Sequence, residues 1–294
     1  MSSPFISADI LLGQLLLGLI NGAFYATLSL GLSIIFGILN VVNFAHGAQY
    51  MMGAFAAWAL LAYLGVGFWW SLLLVPLLVG AIGMLFERVL ISRIYHRDPL
   101  YGFLLTLGFA LVVQGLLREK YGVSGLRYAV PPALAGAKDL GFMFLPYYRA
   151  FAVLVSIATC LAAWFAIEKT KLGSYLRAAA ENATLSEALG INVPVLLTVT
   201  YGIGVALAAF AGVLAAPIYS VSPLMGENML IIVFAVVVIG GLGSIVGSIV
   251  AGVSLGVIEG LTKVFYPQAS STVIFVAMIV VLMLRSDGLF GRRA

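Results

Sequence analysis

The stretch KTKLGSYLRAAAENATLSEALGINVP, residues 169–194, is a polar cassette set between two long apolar runs. Ser174 at its start, Gly190 at its close and Pro194 beyond are helix start and stop signals, and they predict one helix of about four turns over 174–189. A helix this polar belongs outside the bilayer. With Lys169, Lys171 and Arg177 at its entry, it reads as a cytoplasmic segment offered to something soluble. The runs on either side, 150–168 and 195–216, are then membrane spans, which makes the fold a membrane fold.

The whole chain agrees. Its 294 residues are 63% hydrophobic and only 9% charged, with a mean hydropathy of +1.15, whereas a soluble domain carries about 25% charged residues. Further apolar runs lie at 10–37, 47–64, 68–87, 100–117, 229–241, 244–262 and 272–285, the first of these three closing runs being short. They are continuously apolar and lack the period-two alternation of barrel strands, so they are helices. The expectation is an all-α fold: a polytopic helical bundle of about 8 to 9 transmembrane segments forming one domain over 1–294. Residues 118–149 form an extracytoplasmic loop, whose YAVPPALAG and GFMFLPYY stretches read either as a solvated connector or as a short hairpin or interfacial helix.

Charge orients the bundle. With the N-terminus outside, Arg88, Arg93, Arg97, Lys169, Lys171, Arg177, Arg285, Arg292 and Arg293 fall inside, nine basic residues against six outside. This bias favours N-out and C-in. The net charge of +4 comes from loop residues and forms no basic stripe, which excludes nucleic-acid binding. Cys160 is the single cysteine, so neither an internal disulfide nor a thiolate metal site is expected. MSSPFISADI has no positive charge ahead of the first span, which is therefore expected to be retained.

Most of the 33 glycines read as helix-packing positions. Two clusters differ: NVVNFAHG at 40–47 and GGLGSIVG at 240–247 interrupt apolar runs with backbone that lipid cannot satisfy. In the first, Asn40, Asn43, His46 and Gln49 form the densest polar set near a span, with Gly47 among them. Such groups face a cavity or a partner, which makes this set a candidate pathway element, where a half-helix would aim backbone N–H groups at an anion such as an amino-acid carboxylate. A capped helix end at the cytoplasmic interface is the other reading. Glu259 stands near the end of a span and pairs by spacing with Lys263, an arrangement worth a few tenths of a kcal/mol; it is also a candidate pathway group. Gln14, Asn21, Gln114, Glu227 and Asn228 serve interhelical hydrogen bonding as readily as solute contact. The pathway is thus poor in formal charge, which suits a largely apolar solute.

No phosphate loop, HExxH, paired cysteines or GxSxG occurs, so neither ATP hydrolysis nor the commoner hydrolytic chemistries are placed in this chain. It reads as a transporter and not an enzyme. An ion-coupled secondary carrier using His46 and Glu259 is the rival; a membrane-embedded enzyme using them as acid and base lacks any nucleophile or metal cluster. The cassette at 169–194 argues for an external ATPase as the energy source.

Three stretches together resemble a known family: VVNFAHGAQYMMGAF at 41–55, LGSYLRAAAENATLSEALGIN at 172–192 and VVVIGGLGSIVGSIVAGVSLGVIEG at 236–260. Along nearly its full length the chain is similar to permease subunits of bacterial ABC importers for branched-chain amino acids. The resemblance implies that the cassette is a coupling helix docking in an ATPase groove, with Arg177, Glu181 and the turn Gly190, Ile191 and Asn192 as the docking element. It places Asn43, His46 and Gly47 at a helix break along the path. It further implies a second permease subunit as heterodimer partner, two ATP-binding subunits that hold the ATP and Mg, a periplasmic substrate-binding protein, and residence in the bacterial inner membrane with no cofactor in this chain. Val246 stands where some members have proline, and related permeases carry urea or aromatic acids, so the solute stays open.

Overall fold

The computed structural model describes residues 7–39, 41–95 and 97–291. Asn40 of the polar set, and Arg292 and Arg293 of the charge inventory, lie outside them. The helices are α1 (Ala8–Leu39), α2 (His46–Leu64), α3 (Phe68–Val89), α4 (Pro99–Tyr121), α5 (Tyr147–Lys169), α6 (Lys171–Glu181), α7 (Ala183–Ala188), α8 (Val193–Ala215), α9 (Met225–Gly240), α10 (Ile245–Phe265) and α11 (Val273–Leu284). Six stretches are long and apolar enough to cross a membrane: α1, α3 with the turn after it, α4, α5, α8 and α10. α9 and α11 are shorter apolar helices. The protein is a helical, multi-pass membrane bundle.

α1 is its central post. From Gly18 to Ile35 it is, Asn21 aside, apolar, aromatic or small on every side, the pattern of a helix with no solvent face, and nearly all of that length is buried. α10 lies along it through a glycine seam. A Cβ on Gly256 would come within 2.4 Å of the backbone of Gly18 and Gly22, and one on Gly252 within 2.6 Å of Ala26. Only hydrogen at these positions lets the two backbones meet, and in lipid such contact replaces the hydrophobic force that joins helices in water. α8 covers another side of α1, and α2 and α3 pack on α8 with small residues again at the crossings, as where Gly53 meets Ala209.

Two sequence expectations change here. The polar cassette is not one helix over 174–189: it is α6 and α7, separated at Asn182, whose extended backbone ends α6 and whose side chain accepts from Leu185 N at 2.9 Å to cap α7. An Asn cap competes well with continued helix. Gly190 does close the segment, at φ 89°. The short run over 229–241 belongs to a helix that starts earlier, at Met225. In the loop 118–149 a hairpin forms, but only GFMFLPYY enters it: β1 (Ala137–Asp139), just beyond YAVPPALAG, pairs antiparallel with β2 (Phe144–Pro146), Lys138 opposite Leu145, while Pro132–Leu134 is a 3-10 turn.

Gly256→Val, which drives a side chain into two backbones, is expected to cost about 3 kcal/mol; Gly108→Val, where a Cβ meets nothing within 4 Å, about 0.5 kcal/mol or less. Unfolding in mixed micelles followed by circular dichroism measures both, and equal losses would show that the seam is not a close backbone contact.

Candidate functional site

The segment between α1 and α2 is a break inside the bundle, and its polar side chains hold it there. His46 Nε2 donates to the carbonyl oxygen of Leu28 at 2.9 Å, since a carbonyl only accepts. Leu28 lies eleven residues before Leu39, the end of α1, which is roughly 16 Å of helix. α2 therefore begins beside the middle of α1 and not beside its end. Its approach is satisfied internally, as non-helical backbone in a membrane requires: Asn43 Oδ1 accepts from Ala45 N at 3.1 Å, and Thr106 Oγ1 of α4 accepts from Phe44 N at 3.2 Å while donating to Gly102 O at 2.8 Å.

Asn43 and Gln49 come together as the sequence suggested. Asn43 Nδ2 donates to Gln49 Oε1 at 3.0 Å, and Gln49 Nε2 donates to the hydroxyl of Tyr201 on α8 at 3.0 Å. All three, and His46, are buried. Gly47 serves approach: a Cβ there would lie 2.3 Å from the carbonyl oxygen of Gly226, so the first turns of α2 and α9 touch back to back. Tyr201 was invisible as a partner because it sits in an apolar run 152 residues away from Gln49.

Glu259 belongs elsewhere. Tyr25 of α1 donates to its Oε2 at 2.7 Å and Lys263 to its Oε1 at 2.5 Å, which locks α1 to the far part of α10. The spacing gave Lys263 and missed Tyr25. Glu87, near the end of α3, also escaped the sequence reading; it is buried, accepts from the hydroxyl of Tyr95, and its Oε2 has no partner among the described residues.

The second locus is the cassette. α6 buries Gly173, Leu176 and Ala179 along one stripe against α5 and α1. Arg177 reaches back, donating to Ile167 O at 3.1 Å and lying 3.5 Å from Glu168. It fastens α6 to the end of α5, while Glu181 stays exposed. α7 and the turn after it expose large apolar groups, Leu185 at 58% and Leu189 at 75%, with Tyr175 of α6 at 46%. Ile191 N bonds back to Ser186 O at 3.0 Å, and Asn192 Oδ1 accepts from Val195 N at 3.1 Å, capping α8 directly. Between α6, α5, the end of α1 and the glycine turn at 241–244 lies an open cleft of about 980 Å³ bordered by Gly37, Trp164, Arg177, Glu181 and Phe290.

Gln49→Leu strands both Asn43 Nδ2 and the Tyr201 hydroxyl and is expected to cost about 2–4 kcal/mol. Combined with Tyr201→Phe, the loss should fall short of the sum by about 1 kcal/mol, because the second change removes a group already orphaned. Unfolding midpoints of the four proteins measure this; strict additivity would mean that the two groups are not coupled.

The family described as "Branched-chain amino acid transport system / permease component" matches residues 14–283. The chain is 30% identical over 297 residues to the high-affinity branched-chain amino acid transport system permease protein LivH of Escherichia coli K12, covering 96% of both chains. It is 31% identical over 296 residues to the corresponding permease protein BraD of Pseudomonas aeruginosa, again with 96% of each covered. The E. coli permease protein LivM is 27% identical over 292 residues, or 90% of this chain and 67% of LivM. A match across the whole bundle, including both the break and the cassette, leaves one conclusion: this chain belongs to the family of permease components of branched-chain amino acid transport systems.

Proposed function

We propose that the chain is the transmembrane permease subunit of a bacterial ABC importer that moves branched-chain or related apolar amino acids across the inner membrane. The observation that carries this is the family match over 14–283 on a bundle with a broken helix at its centre. In this reading the chain pairs with a second permease, receives solute from a periplasmic binding protein and is driven by two ATPase subunits that bind ATP and Mg. With α2, α9 and α11 added to the six long apolar helices, nine segments lie in the bilayer, with the N-terminus outside.

The cassette is the coupling element. Exposed Leu185 and Leu189 give it the apolar anchors that a protein interface needs, Glu181 and the turn at Gly190, Ile191 and Asn192 frame them, and Arg177 keeps α6 fixed to α5. ATP-driven closure of the ATPase pair displaces the cassette as a rigid body, and Asn192 passes that movement into α8. Asn43, His46, Gly47 and Gln49 hold the break that shapes the path, with Glu259 as a clamp on α1 at Tyr25, about one turn from Leu28. With His46 and Glu259 in separate clusters, no observation favours an ion-coupled carrier, and none favours urea or an aromatic acid as solute.

Purification of the tagged chain from native membranes in mild detergent should recover two ATPases and a second permease. Leu185→Asp with Leu189→Asp is expected to lower ATPase recovery and leucine uptake by about 30-fold or more, as loss of an interface anchor worth about 2 kcal/mol or more does. A lone chain that transports in ATP-free liposomes would overturn the proposal.

A further inference from the structure

Beside the start of α2, along Ala48 and Met51, helices α2, α4 and α9 frame a half-open groove of about 110 Å³. Its walls are apolar, formed by Phe44, Met51, Leu107, Leu111 and Leu230. One charged group reaches it: Glu227, in the first turn of α9, whose Oε2 accepts from Gln114 Nε2 of α4 at 3.3 Å. Gln114 lies one helical turn inside Arg118, which belongs to the charged end of α4.

This carboxylate is unlike the other two that the bundle holds between its helices. Glu87 is buried and takes a hydrogen bond from Tyr95; Glu259 is clamped by Tyr25 and Lys263. Glu227 is exposed to the groove, and no Lys or Arg among the described residues pairs with it within 4 Å. An ionisable group on an otherwise apolar transmembrane surface faces a water-filled path or a partner and not hydrocarbon. Gln114 contributes one N–H and leaves the carboxylate with acceptor capacity for another donor.

We infer that Glu227 is the ammonium-binding group of the transport path, and that the groove takes the short aliphatic side chain of the same α-amino acid. The inference rests on the importer reading and deepens it by assigning selection to a residue. A primary ammonium supplies the donors and the charge that the open carboxylate lacks, and charge-assisted bonds of this kind are about twice as strong as neutral ones. The apolar walls around Met51 and Leu111 suit a branched alkyl group. Urea carries no charge for Glu227 to hold, and an acid without an amino group is repelled by it, so the same site discriminates against both.

The test uses the assembled importer, permease pair with ATPases and binding protein, in proteoliposomes, with ATP-driven uptake of radiolabelled L-leucine as the readout. Glu227→Gln keeps the shape and removes the charge. Uptake at sub-saturating leucine is expected to fall about tenfold or more with subunit composition unchanged, and Glu227→Asp to restore most of it. Wild-type rates in Glu227→Gln would overturn the assignment, whereas a wild-type complex that ignores leucine would overturn the importer reading itself. Should Glu227→Gln not assemble, Leu111→Cys beside an intact Glu227 decides the matter through thiol modification by a small cationic methanethiosulfonate. L-leucine should slow the reaction, and 4-methylpentanoate, the same skeleton without the amino group, should not; equal effects of the two would overturn the assignment.

Discussion

Burial of α1 on every side is the constraint that the rest of the bundle answers. A helix in the middle of a membrane protein gains nothing from exclusion of water, because lipid is as apolar as its neighbours, so it must be held by contact. Contact is closest where side chains vanish. Gly18, Gly22, Gly252 and Gly256 bring α1 and α10 to backbone distance, and Gly31 does the same against Gly204 of α8. Once those approaches are fixed, α2 and α3 have defined grooves on α8, and the order of layers follows.

The same closeness makes the breaks possible. Irregular backbone in the bilayer needs its own donors and acceptors answered by protein, and here the answers come from α1 and α4: Leu28 O for His46, Thr106 Oγ1 for Phe44 N. A second irregular stretch, after α8, is held by the Leu126–Val221 bridge to the loop between α4 and α5. A third, the turn at 241–244, is closed by Ser244 capping Gly247 and by Leu289 N and Phe290 N, which bond the carbonyls of Ile239 and Gly240. The C-terminal segment thus finishes the end of α9 that an apolar helix leaves open.

Spans, breaks and the position of the cassette were legible because each is written in local chemistry: long apolar runs, Asn and Gly inside them, charge outside. The break at Asn182 is of the same local kind, an asparagine among alanines capping a helix better than it continues one. What sequence could not supply was pairing at a distance. Tyr25 with Glu259 and Tyr201 with Gln49 join residues 234 and 152 apart, and no periodicity reports such contacts. Direction was equally hidden. Arg177, expected as a docking charge, is exposed and also bonds the end of α5, while Leu185 and Leu189, unremarkable in a helix-forming stretch, are exposed beside it.

These long-range pairs give the cassette a short route to the break. Asn192 ends the cassette and caps α8 in one side chain. Nine residues on, roughly 13 Å along a rigid helix, Tyr201 holds Gln49, which holds Asn43. A close-packed interior has no slack in which a small displacement is absorbed, so a shift of α8 along its axis must either carry the α2 start with it or break the Gln49–Tyr201 bond. Neither leaves the groove between α2, α4 and α9 unchanged, because Phe44, Ala48 and Met51 line it from the same turns that Asn43 and Gln49 anchor. The polar network and the groove share one helix start, and that is why the buried Asn43 and Gln49 bear on a groove they do not line.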